Sequence, residues 1–529
     1  MLGSPLGMTR TAGIAWDLWR AGRASQDAIT RRQRDRLAAL VDCARSSSPY
    51  YRRLYRDVPD TVPDTVPDRV PDRARDLATY LGELPPVGKR ELMESFDDWV
   101  TDPHITLAGL KHDLLDDPSR IGSLYRGQYL VVTTSGSTGE PGVLVHDRTS
   151  QLVASLLGPI RERRTLMAAK EARAFLRRGL RAAALIADGD HFAGVVLTEA
   201  ARRRSPRIAR RVRVFSVLRP LPDLVADLND FQPTVLYGYP SAMVQLAAEQ
   251  KAGRLRIHPL LAVASGESLA AHAAAEIEAS LGCRVSVRYL ASEALALTSR
   301  CRQGLLHVNA DWNIVEPVDD AFRPVPPGEL SHTVLVTNLA NRVQPLIRYN
   351  LGDRVQLAAG PCACGSPFPT LRVEGRSGDV LGFAAAEGAR PERSGSDGTG
   401  SDGAGSDGAG SDGTGPDGSG ADGTGSDGAG SDGTGADGNV VTVLPLALGT
   451  VIEETAGVRR FQAIRTGLGS LTVRLELWPE AETAAVRTAV GERLGAFFAA
   501  QGAAGVDVRF SDEPPMPDRS GKFREVWSA

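Results

Sequence analysis

The stretch that decides the fold of this chain is Val131–Asp147, VVTTSGSTGEPGVLVHD. Apolar β-branched residues on both sides predict two short strands, joined by a loop of Thr, Ser and Gly from Thr133 to Gly139. Such a loop presents backbone N–H groups and hydroxyls with little side-chain bulk, which suits phosphate oxygens. A P-loop kinase is disfavoured, because Glu140 and Pro141 stand where a Walker A loop has Lys and Ser or Thr. On its own, the loop also fits a solvated linker.

Beyond this loop, short apolar runs alternate with helical stretches. The runs RAAALIAD, RVRVFSVL, PTVLYGY and LLAVASG begin at Arg181, Arg211, Pro233 and Leu260. Stretches with helical spacing, such as LVADLNDF and SAMVQLAAEQKAG, separate them. This rhythm predicts a layered α/β fold with a parallel sheet, in which the binding loops follow the carboxyl ends of the strands.

The composition is that of a globular protein, since 42% of the 529 residues are hydrophobic and 24% are charged. The length predicts about two to four domains. The net charge of −3 gives no reason to expect nucleic acid or an anionic membrane as a partner. No apolar run reaches the ~18 residues that a membrane span needs. Sparse cysteines and an N-terminus without a signal-peptide pattern predict a cytoplasmic location.

Two tandem repeats interrupt the chain. VPDTVPDTVPDRVPDR spans Val58–Arg73, and its regularly spaced prolines predict an extended surface loop. A second repeat, Ser394–Gly438, consists of pentapeptides of the type SDGTG with an Asp in every unit. Because this second repeat cannot bury a core, we expect it to be disordered and extended by the repulsion of its charges.

Further motifs follow the loop along the chain. They are SGESL (Ser265–Leu269), YLASEA (Tyr289–Ala294), IRYNLGD (Ile347–Asp353), EGRSGDVL (Glu374–Leu381) and PMPDRSGKFREV (Pro515–Val526). Together with the Thr133–Gly139 loop, and in this order, they resemble the motifs of the adenylate-forming superfamily, which includes acyl-CoA synthetases and adenylation domains.

Other segments indicate which family within this superfamily the chain resembles. They are SPYYRRLYRD (Ser48–Asp57), LPPVGKRELMESFDDWV (Leu84–Val100), CRQGLLHV (Cys301–Val308) and the later CACG (Cys362–Gly365). These segments are similar to those of the phenylacetate–CoA ligases. The resemblance covers most of the chain apart from the two repeats.

The resemblance implies two domains. A large multilayer α/β domain would span residues 1–375, with the VPD repeat at 58–73 as a loop. A small mobile α+β lid would span residues 376–529, with the repeat 394–438 as a disordered insertion, and would rotate about Arg376–Asp379. The family hinge usually reads Gly-Arg-x-Asp-Asp, whereas Gly378 takes the first acidic position here. This departure leaves the acceptor of the acyl group open.

The same resemblance implies ATP-dependent activation of a carboxylic acid to an acyl-adenylate, with release of pyrophosphate. Lys522 would bridge the attacking carboxylate and the α-phosphate, and Glu293 would bind Mg²⁺. It also implies further nucleotide-binding positions. Around the phosphates these are Thr133, Thr134, Ser135, Gly136, Ser137, Thr138, Gly139 and Ser292. Gly266, Glu267 and Tyr289 would surround adenine, Asp353 would bind the ribose, and Arg376 lies at the hinge.

The acid is expected between the segments DGDHF and YGYPS, where His191, Phe192, Tyr237 and Tyr239 are candidates for its pocket. Their aromatic character favours an aryl or arylacetic acid. The acceptor implied by the phenylacetate–CoA ligases is CoA, and an amine or a carrier-protein thiol is the alternative. An inactive interaction protein that binds nucleotide or zinc is an alternative of another class. The oligomeric state is left open, and a dimer is compatible with the sequence.

Three cysteines and a histidine offer a complete set of soft metal ligands. Cys301 and His307 form C-x₅-H, and Cys362 and Cys364 follow as C-x-C. This pattern resembles the structural zinc site of the phenylacetate–CoA ligases, and a full tetrahedral set leaves no position for a reactive water. We therefore expect structural Zn²⁺, which would hold the IRYNLGD motif near Tyr289–Glu293. The alternative is a set of small buried side chains with a hydrogen-bonded histidine.

Overall fold

The computed structural model describes residues 5–58, 70–134, 142–162, 169–188, 191–267, 269, 271–376, 381–384, 440–443, 445–453, 455–503, 505–516 and 523–529. Several sequence-based predictions fall on residues outside these ranges. They concern the loop residues Ser135–Gly139, the hinge residues 377–379, the repeat 394–438 and Lys522. The structure does not bear on those predictions.

The two strands predicted around the phosphate loop are present. Strand β1 (Leu130–Thr133) pairs in antiparallel register with strand β2 (Val143–His146), so that Leu130 lies opposite His146 and Thr133 opposite Val143. Every residue of both strands is buried. The ends of the loop are therefore fixed to the core of the molecule.

The central sheet contains five parallel strands in the order β4-β3-β5-β6-β7. Their bounds are β3 (Ala182–Ile186), β4 (Val212–Ser216), β5 (Val235–Gly238), β6 (Leu261–Ser265) and β7 (Arg284–Arg288). The first four lie within the four apolar runs of the sequence, and helices connect them. The predicted α/β fold with a parallel sheet is confirmed.

Helices cover this sheet and build the N-terminal part of the chain. Those described up to residue 281 are Pro5–Ala21, Gln26–Ser47, Pro49–Leu54, Val70–Glu83, Lys89–Glu94, Phe96–Trp99, Leu107–Leu110, Arg148–Arg161, Ala169–Arg178, Ala193–Arg204, Pro206–Arg211, Leu221–Phe231, Pro240–Lys251 and Ala271–Leu281. Side-chain caps set several of their starts, since Asp147 accepts a hydrogen bond from the Ser150 N–H at 2.9 Å. Within the described residues, we find no helix with the length and apolar character of a membrane span.

The end of the VPD repeat differs from the prediction of an extended loop over 58–73. Helix Val70–Glu83 begins inside the repeat, and the last VPDR unit forms its first turn. Pro71 is tolerated there because the first N–H groups of a helix have no intrahelical acceptor. The prediction is therefore wrong for residues 70–73, and residues 59–69 lie outside the described ranges.

Two antiparallel sheets follow the central one. Their strands are β8 (Thr298–Arg300), β9 (Leu306–Val308), β10 (Asn313–Val318), β11 (Thr333–Asn338), β12 (Tyr349–Asn350), β13 (Asp353–Leu357) and β14 (Thr370–Arg376). One sheet has the order β10-β11-β12 and the other β13-β14-β9-β8. The segment between β13 and β14 carries the C-x-C pair, which the second sheet brings beside β9.

The C-terminal part has its own sheets and core. Its strands are β15 (Leu381–Ala384), β16 (Val440–Val443), β17 (Val458–Gly467), β18 (Ser470–Leu477), β19 (Asp507–Ser511) and β20 (Val526–Ser528), and its described helices are Pro445–Glu453 and Thr483–Ala500. The strand predicted from SLTVRLELW and the helix predicted from AETAAVRTAVGERLGAFFAAQ are both confirmed. The sheet has the order β19-β18-β17-β20.

The described residues pack into separate hydrophobic cores. The largest runs from Leu37 to Val355 and includes the central sheet. Another runs from Leu381 to Val526 and includes Leu471, Val490 and Leu494 of the C-terminal part. The domain boundary at residues 375 and 376 stays a prediction.

Candidate active site

The carboxyl edge of the central sheet carries several of the predicted site residues that the structure describes. His191 follows β3, Tyr239 follows β5, Gly266 and Glu267 follow β6, and Tyr289 follows β7. Parallel strands bring such loops to one edge, where ligands bind in folds of this type. The predicted residues are distant in sequence, and the topology of the sheet accounts for their proximity.

The described ends of the phosphate loop are held close together. The Thr134 N–H donates to the Gly142 carbonyl at 2.9 Å, and the Gly142 N–H donates to Thr134 Oγ1 at 2.8 Å. The Thr133 N–H donates to the His191 carbonyl at 2.7 Å, which joins the loop to the segment after β3. Thr134 and Gly142, which flank the loop in sequence, are therefore neighbours at the edge of the core.

A small cavity lies beside this point. Its polar lining includes Thr134, Glu293, Lys89 and Tyr349. The Tyr349 hydroxyl donates to Glu293 Oε1 at 3.2 Å, and Asn338 Nδ2 donates to the Glu293 carbonyl at 2.9 Å. The structure therefore brings the predicted Mg²⁺ ligand next to the end of the predicted phosphate loop.

Lys89 is a cavity residue that the sequence reasoning missed. Its Gly-Lys pair lacks the Walker A context, which gave no reason to connect it with phosphate. A Cβ atom placed on Gly142 would lie 3.3 Å from Lys89 Cε, so this lysine passes directly beside the end of the loop. The available signal was its position at the start of helix Lys89–Glu94, a feature that many surface lysines share.

Tyr289 and Asp353 contact each other directly. The Tyr289 hydroxyl donates to Asp353 Oδ2 at 2.6 Å, and Thr298 Oγ1 donates to the Tyr289 carbonyl at 2.7 Å. Asp353 starts β13 and pairs across the sheet with the backbone of Arg376. The positions predicted for adenine, ribose and hinge therefore adjoin one another.

Glu267, predicted to line the adenine pocket, has three backbone and side-chain hydrogen-bond donors around its carboxylate. Gly266 has a φ of +90°, and this left-handed backbone turns Glu267 towards helix Pro240–Lys251. Its carboxylate accepts from the Ser241 N–H at 3.0 Å, from Ser241 Oγ at 3.1 Å and from the Phe523 N–H at 2.6 Å. Glu267 thus contacts the C-terminal segment directly after Lys522.

His146, at the end of β2, is a second residue that the sequence reasoning missed. Its Nε2–H donates to the Ser292 carbonyl at 2.9 Å, and its Nδ1 lies 3.1 Å from Ser150 Oγ. Burial lowers the pKa of His146 to about 4, so the ring is neutral at pH 7. It fixes Ser292 and thereby positions the neighbouring Glu293. The only sequence signal was a polar residue at the end of an apolar strand.

The four candidates for the acid pocket lie at the ends of β3 and β5. His191 is buried, and Phe192 forms a bridge with Thr133 of the phosphate loop. Tyr237 and Tyr239 flank Gly238, whose φ is +143° and whose missing Cβ leaves room for a backbone oxygen of β3. Phe192 and both tyrosines pack in the large core.

The predicted metal ligands come together. One ligand atom from each of Cys301, His307, Cys362 and Cys364 lies within 4.8 Å of all the others. Cys301 and Cys362 sulfurs are 3.9 Å apart, and Cys364 Sγ is 3.4 Å from His307 Nε2. A tetrahedral zinc with ordinary bond lengths requires about 3.8 Å between sulfurs and about 3.6 Å between sulfur and nitrogen. The cluster therefore fits zinc.

The histidine of this cluster is oriented for metal binding. His307 Nδ1–H donates to the Phe368 carbonyl at 2.7 Å, which leaves Nε2 directed at Cys364. Such a hydrogen bond to the other ring nitrogen is usual for metal-bound histidine, because it fixes the tautomer and the ring. His307 is buried, so water has little access to its ring.

Comparisons with known proteins agree on the fold. No family model matches the sequence, and no curated protein matches it. Among solved structures, 2-hydroxyisobutyryl-CoA ligase in the postadenylation state with R3-HIB-AMP is similar, with a TM-score of 0.59 and 18% identity. The match covers 95% of this chain and 88% of that chain. This chain has the fold of adenylate-forming CoA ligases.

A second structure of the same ligase supports this assignment. The open conformation in complex with 2-HIB-AMP and CoA matches with a TM-score of 0.50 and 18% identity. The match covers 94% of this chain and 90% of that chain. At this identity the similarity shows the fold, and the resemblance to phenylacetate–CoA ligases in particular stays a prediction.

Proposed function

We propose that this protein is an AMP-forming carboxylate ligase. ATP and a carboxylic acid react at the carboxyl edge of the central sheet to give an acyl-adenylate and pyrophosphate, and the acyl group then passes to CoA. The observations that carry the proposal are that Thr134 and Glu293 line one cavity and that Tyr289 contacts Asp353, within this fold.

The phosphates of ATP fit the side of the site formed by the opening loop. Thr134 and the hydroxyl-rich and glycine residues after it supply neutral donors to phosphate oxygens, and Lys89 supplies a positive charge beside them. The ribose fits Asp353, whose carboxylate accepts hydroxyl protons, and adenine fits the face of Tyr289. Charge develops on the phosphates as pyrophosphate leaves, so fixed donors at these positions lower the barrier.

Lys522 supplies the second cation of the proposal. Phe523, the next residue along the chain, lies against Glu267 at the same edge of the sheet. The resemblance assigns Lys522 the role of bridging the attacking carboxylate and the α-phosphate. Bringing two anions together requires such a cation, because their mutual repulsion otherwise opposes the reaction.

Mg²⁺ fits the cavity at Glu293. Hard cations prefer oxygen ligands, and the Glu293 carboxylate and the Thr134 hydroxyl border the same space. When bound, Mg²⁺ would neutralise part of the charge of the phosphates. His146 and Tyr349 hold the Glu293 segment in place through Ser292 and the Glu293 carboxylate.

Zn²⁺ would act as a structural ion at Cys301, His307, Cys362 and Cys364. The cluster fastens the connection between β13 and β14 to β9. Because Asp353 begins β13, the metal would hold the ribose-binding position in register with Tyr289. The ion would thus couple the positions of Asp353 and Tyr289 through the sheet, and it would take no part in the reaction.

The aromatic residues near the ends of β3 and β5 favour an aryl or arylacetic acid. Phe192, Tyr237 and Tyr239 offer flat apolar surface, and His191 offers a polar group beside the phosphate loop. We expect the acid to lie with its carboxylate towards Thr133 and its ring towards these residues.

Carboxylate-dependent exchange of radioactive pyrophosphate into ATP tests the proposal. A panel of aryl, arylacetic and short alkyl acids is assayed with the wild type, Lys522→Ala and the exposed-lysine control Lys111→Ala. We expect exchange with at least one aryl acid, retained in the control and reduced at least about 100-fold in Lys522→Ala. ATP binding without exchange by any acid would instead favour an inactive nucleotide-binding protein.

The acceptor requires a second assay, because Gly378 replaces the usual acidic residue of the hinge. The acid that supports exchange is incubated with ATP and either CoA, hydroxylamine or a carrier-protein thiol. CoA-dependent release of AMP with formation of the thioester supports the ligase assignment. Release that depends only on the amine or the carrier protein would assign the alternative acceptor.

A further inference from the structure

The outer edge of β2 is bound by a buried side chain. Within the described ranges, β1 and β2 form a sheet of two strands, so β1 occupies one edge of β2 and no strand adjoins the other. At that outer edge, Gln344 Oε1 accepts from the Val145 N–H at 2.7 Å, and Gln344 Nε2 donates to the Val143 carbonyl at 3.1 Å. The amide group of Gln344 therefore binds β2 as the backbone of a neighbouring strand would.

Asn341 continues this row of hydrogen bonds along β2. Its Nδ2 donates to the Val145 carbonyl at 2.8 Å, and its Oδ1 accepts from the Asp147 N–H at 3.0 Å. Asn341 Nδ2 also donates to the Gln344 carbonyl at 3.2 Å, which joins the two residues to each other. Both side chains are buried, so the loss of either would leave polar backbone groups of β2 without a partner and away from water.

The segment that carries these two amides also holds Glu293. Asn338 Nδ2 donates to the Glu293 carbonyl at 2.9 Å, and the Tyr349 hydroxyl donates to Glu293 Oε1 at 3.2 Å. Gln344 lies between Asn338 and Tyr349 in the sequence. Residues 338–349, which we call the connecting segment, therefore bind the Glu293 position at both ends and β2 in the middle.

The two positions that the connecting segment joins line one cavity. Gly142 and Thr134, which are bonded to each other in both directions, line it together with Glu293. The carbonyl that Gln344 binds belongs to Val143, the residue directly after Gly142. A shift of β2 against the connecting segment would therefore change the distance between Gly142 and Glu293.

We propose that Gln344 is a positioning residue for the phosphate end of the nucleotide site. By binding both polar groups at the start of the outer edge of β2, it keeps Thr134 and Gly142 in register with Glu293. The inference rests on the proposed function for its effect on ATP, and on the hydrogen bonds of Gln344 to β2 for the fixed edge.

A comparison of ATP with AMP separates this role from a general loss of stability. In the proposed function, the β- and γ-phosphates of ATP lie near Thr134 and Glu293, whereas AMP has neither and is bound through Tyr289 and Asp353. Loss of the Gln344 amide should therefore weaken the binding of ATP and leave that of AMP unchanged. A variant that was only less stable would contain less folded protein, but its folded fraction would bind both nucleotides with the affinity of the wild type.

Gln344→Met and Gln250→Met test the proposal. Methionine resembles glutamine in length and flexibility, but it has no N–H group and only a weak acceptor. Gln250 is a matched control, because its amide also binds both backbone groups of one residue: it donates to the Ile257 carbonyl at 3.0 Å and accepts from the Ile257 N–H at 3.2 Å. Three quantities are measured: the affinities for ATP and AMP by calorimetry without an acid substrate, amide hydrogen exchange of residues 142–147, and the Tm.

In Gln344→Met we expect ATP affinity to fall about 10-fold, as for the loss of one hydrogen bond, with AMP affinity unchanged. Hydrogen exchange within residues 142–147 should be at least about 10-fold faster, because the Val145 amide loses its acceptor. Gln250→Met should lower the Tm but leave both affinities and this hydrogen exchange as in the wild type. Should Gln344→Met fail to fold, Gln344→Asn keeps an amide one methylene shorter and should change the same quantities in the same direction.

An equal loss of affinity for ATP and AMP would overturn the proposal, and so would an ATP affinity that does not change. Unchanged hydrogen exchange at residues 142–147 would overturn it as well. If the wild type binds neither nucleotide, the proposed function fails, and the hydrogen-exchange difference between Gln344→Met and Gln250→Met still decides whether Gln344 fixes the edge of β2.

Discussion

Replacing His146 with Gln tests whether a neutral buried imidazole holds the segment of Ser292 and Glu293. Burial lowers the pKa of His146 to about 4, from an ordinary value of 6.5. Between these values the unfolded chain takes up a proton and the folded chain does not, so the free energy of unfolding falls as the pH drops from 6.5 towards 4. With these values, the loss attributable to His146 is about 2 kcal/mol at pH 5 relative to pH 7.5.

Urea unfolding of the wild type and His146→Gln at both pH values measures this loss. The Gln amide can still donate to the Ser292 carbonyl, but it does not titrate. The difference in free energy of unfolding between the two proteins should therefore shift by about 2 kcal/mol in favour of the variant from pH 7.5 to pH 5. His104→Gln, at an exposed histidine, should show no such shift. A difference that stays constant with pH would refute the burial argument for His146.

Three further predictions concern the metal, a buried acid and a backbone turn. Cys364→Ser should lower the zinc content per chain and the Tm, whereas Cys283→Ser should leave zinc unchanged by plasma mass spectrometry; a wild type purified without zinc would contradict this. Burial and nearby carboxylates raise the pKa of Glu525 to about 7, so the free energy of unfolding falls as the pH rises from 4.5 to 7. In urea unfolding, Glu525→Gln should therefore gain about 2 kcal/mol relative to the wild type between pH 5 and pH 8. If this gain is absent, the Glu525 carboxylate is in contact with water. Gly238→Ala should lower the free energy of unfolding by at least about 3 kcal/mol, because its Cβ would lie 1.9 Å from a backbone oxygen. Gly495→Ala, in an open helical position, should raise it by up to about 1 kcal/mol. Equal urea midpoints of the two variants would refute the clash at Gly238.

Local patterns in the sequence account for most of the elements. The β-branched runs before and after the Thr, Ser and Gly loop form β1 and β2, and the apolar runs from Arg181 onwards contain β3 to β6. Such patterns are readable because strand and helix periods depend on neighbouring residues. The VPD repeat shows the limit of this reasoning. The regular prolines predict an extended chain, but the first turn of a helix accepts proline, and a helix begins at Val70.

The candidate site divides in a similar way. The residues Glu293, Asp353 and Tyr289 could be predicted because the motifs around them resemble a family. Sequence reasoning could not identify Lys89, His146 or Phe523, the contact partner of Glu267. Nothing in their local sequence distinguishes them from ordinary surface or core residues. Their roles depend on side chains that meet from separate elements.

Distance along the chain explains this division. The residues of a strand, a loop or a C-x-C pair are covalent neighbours, so their chemistry and spacing are visible in the printed sequence. Glu267 and Phe523 meet at 2.6 Å across 256 positions, and Cys364 meets His307 across 57. Such meetings arise from the packing of whole sheets and cores, which brings distant groups together because burying their apolar surroundings is favourable.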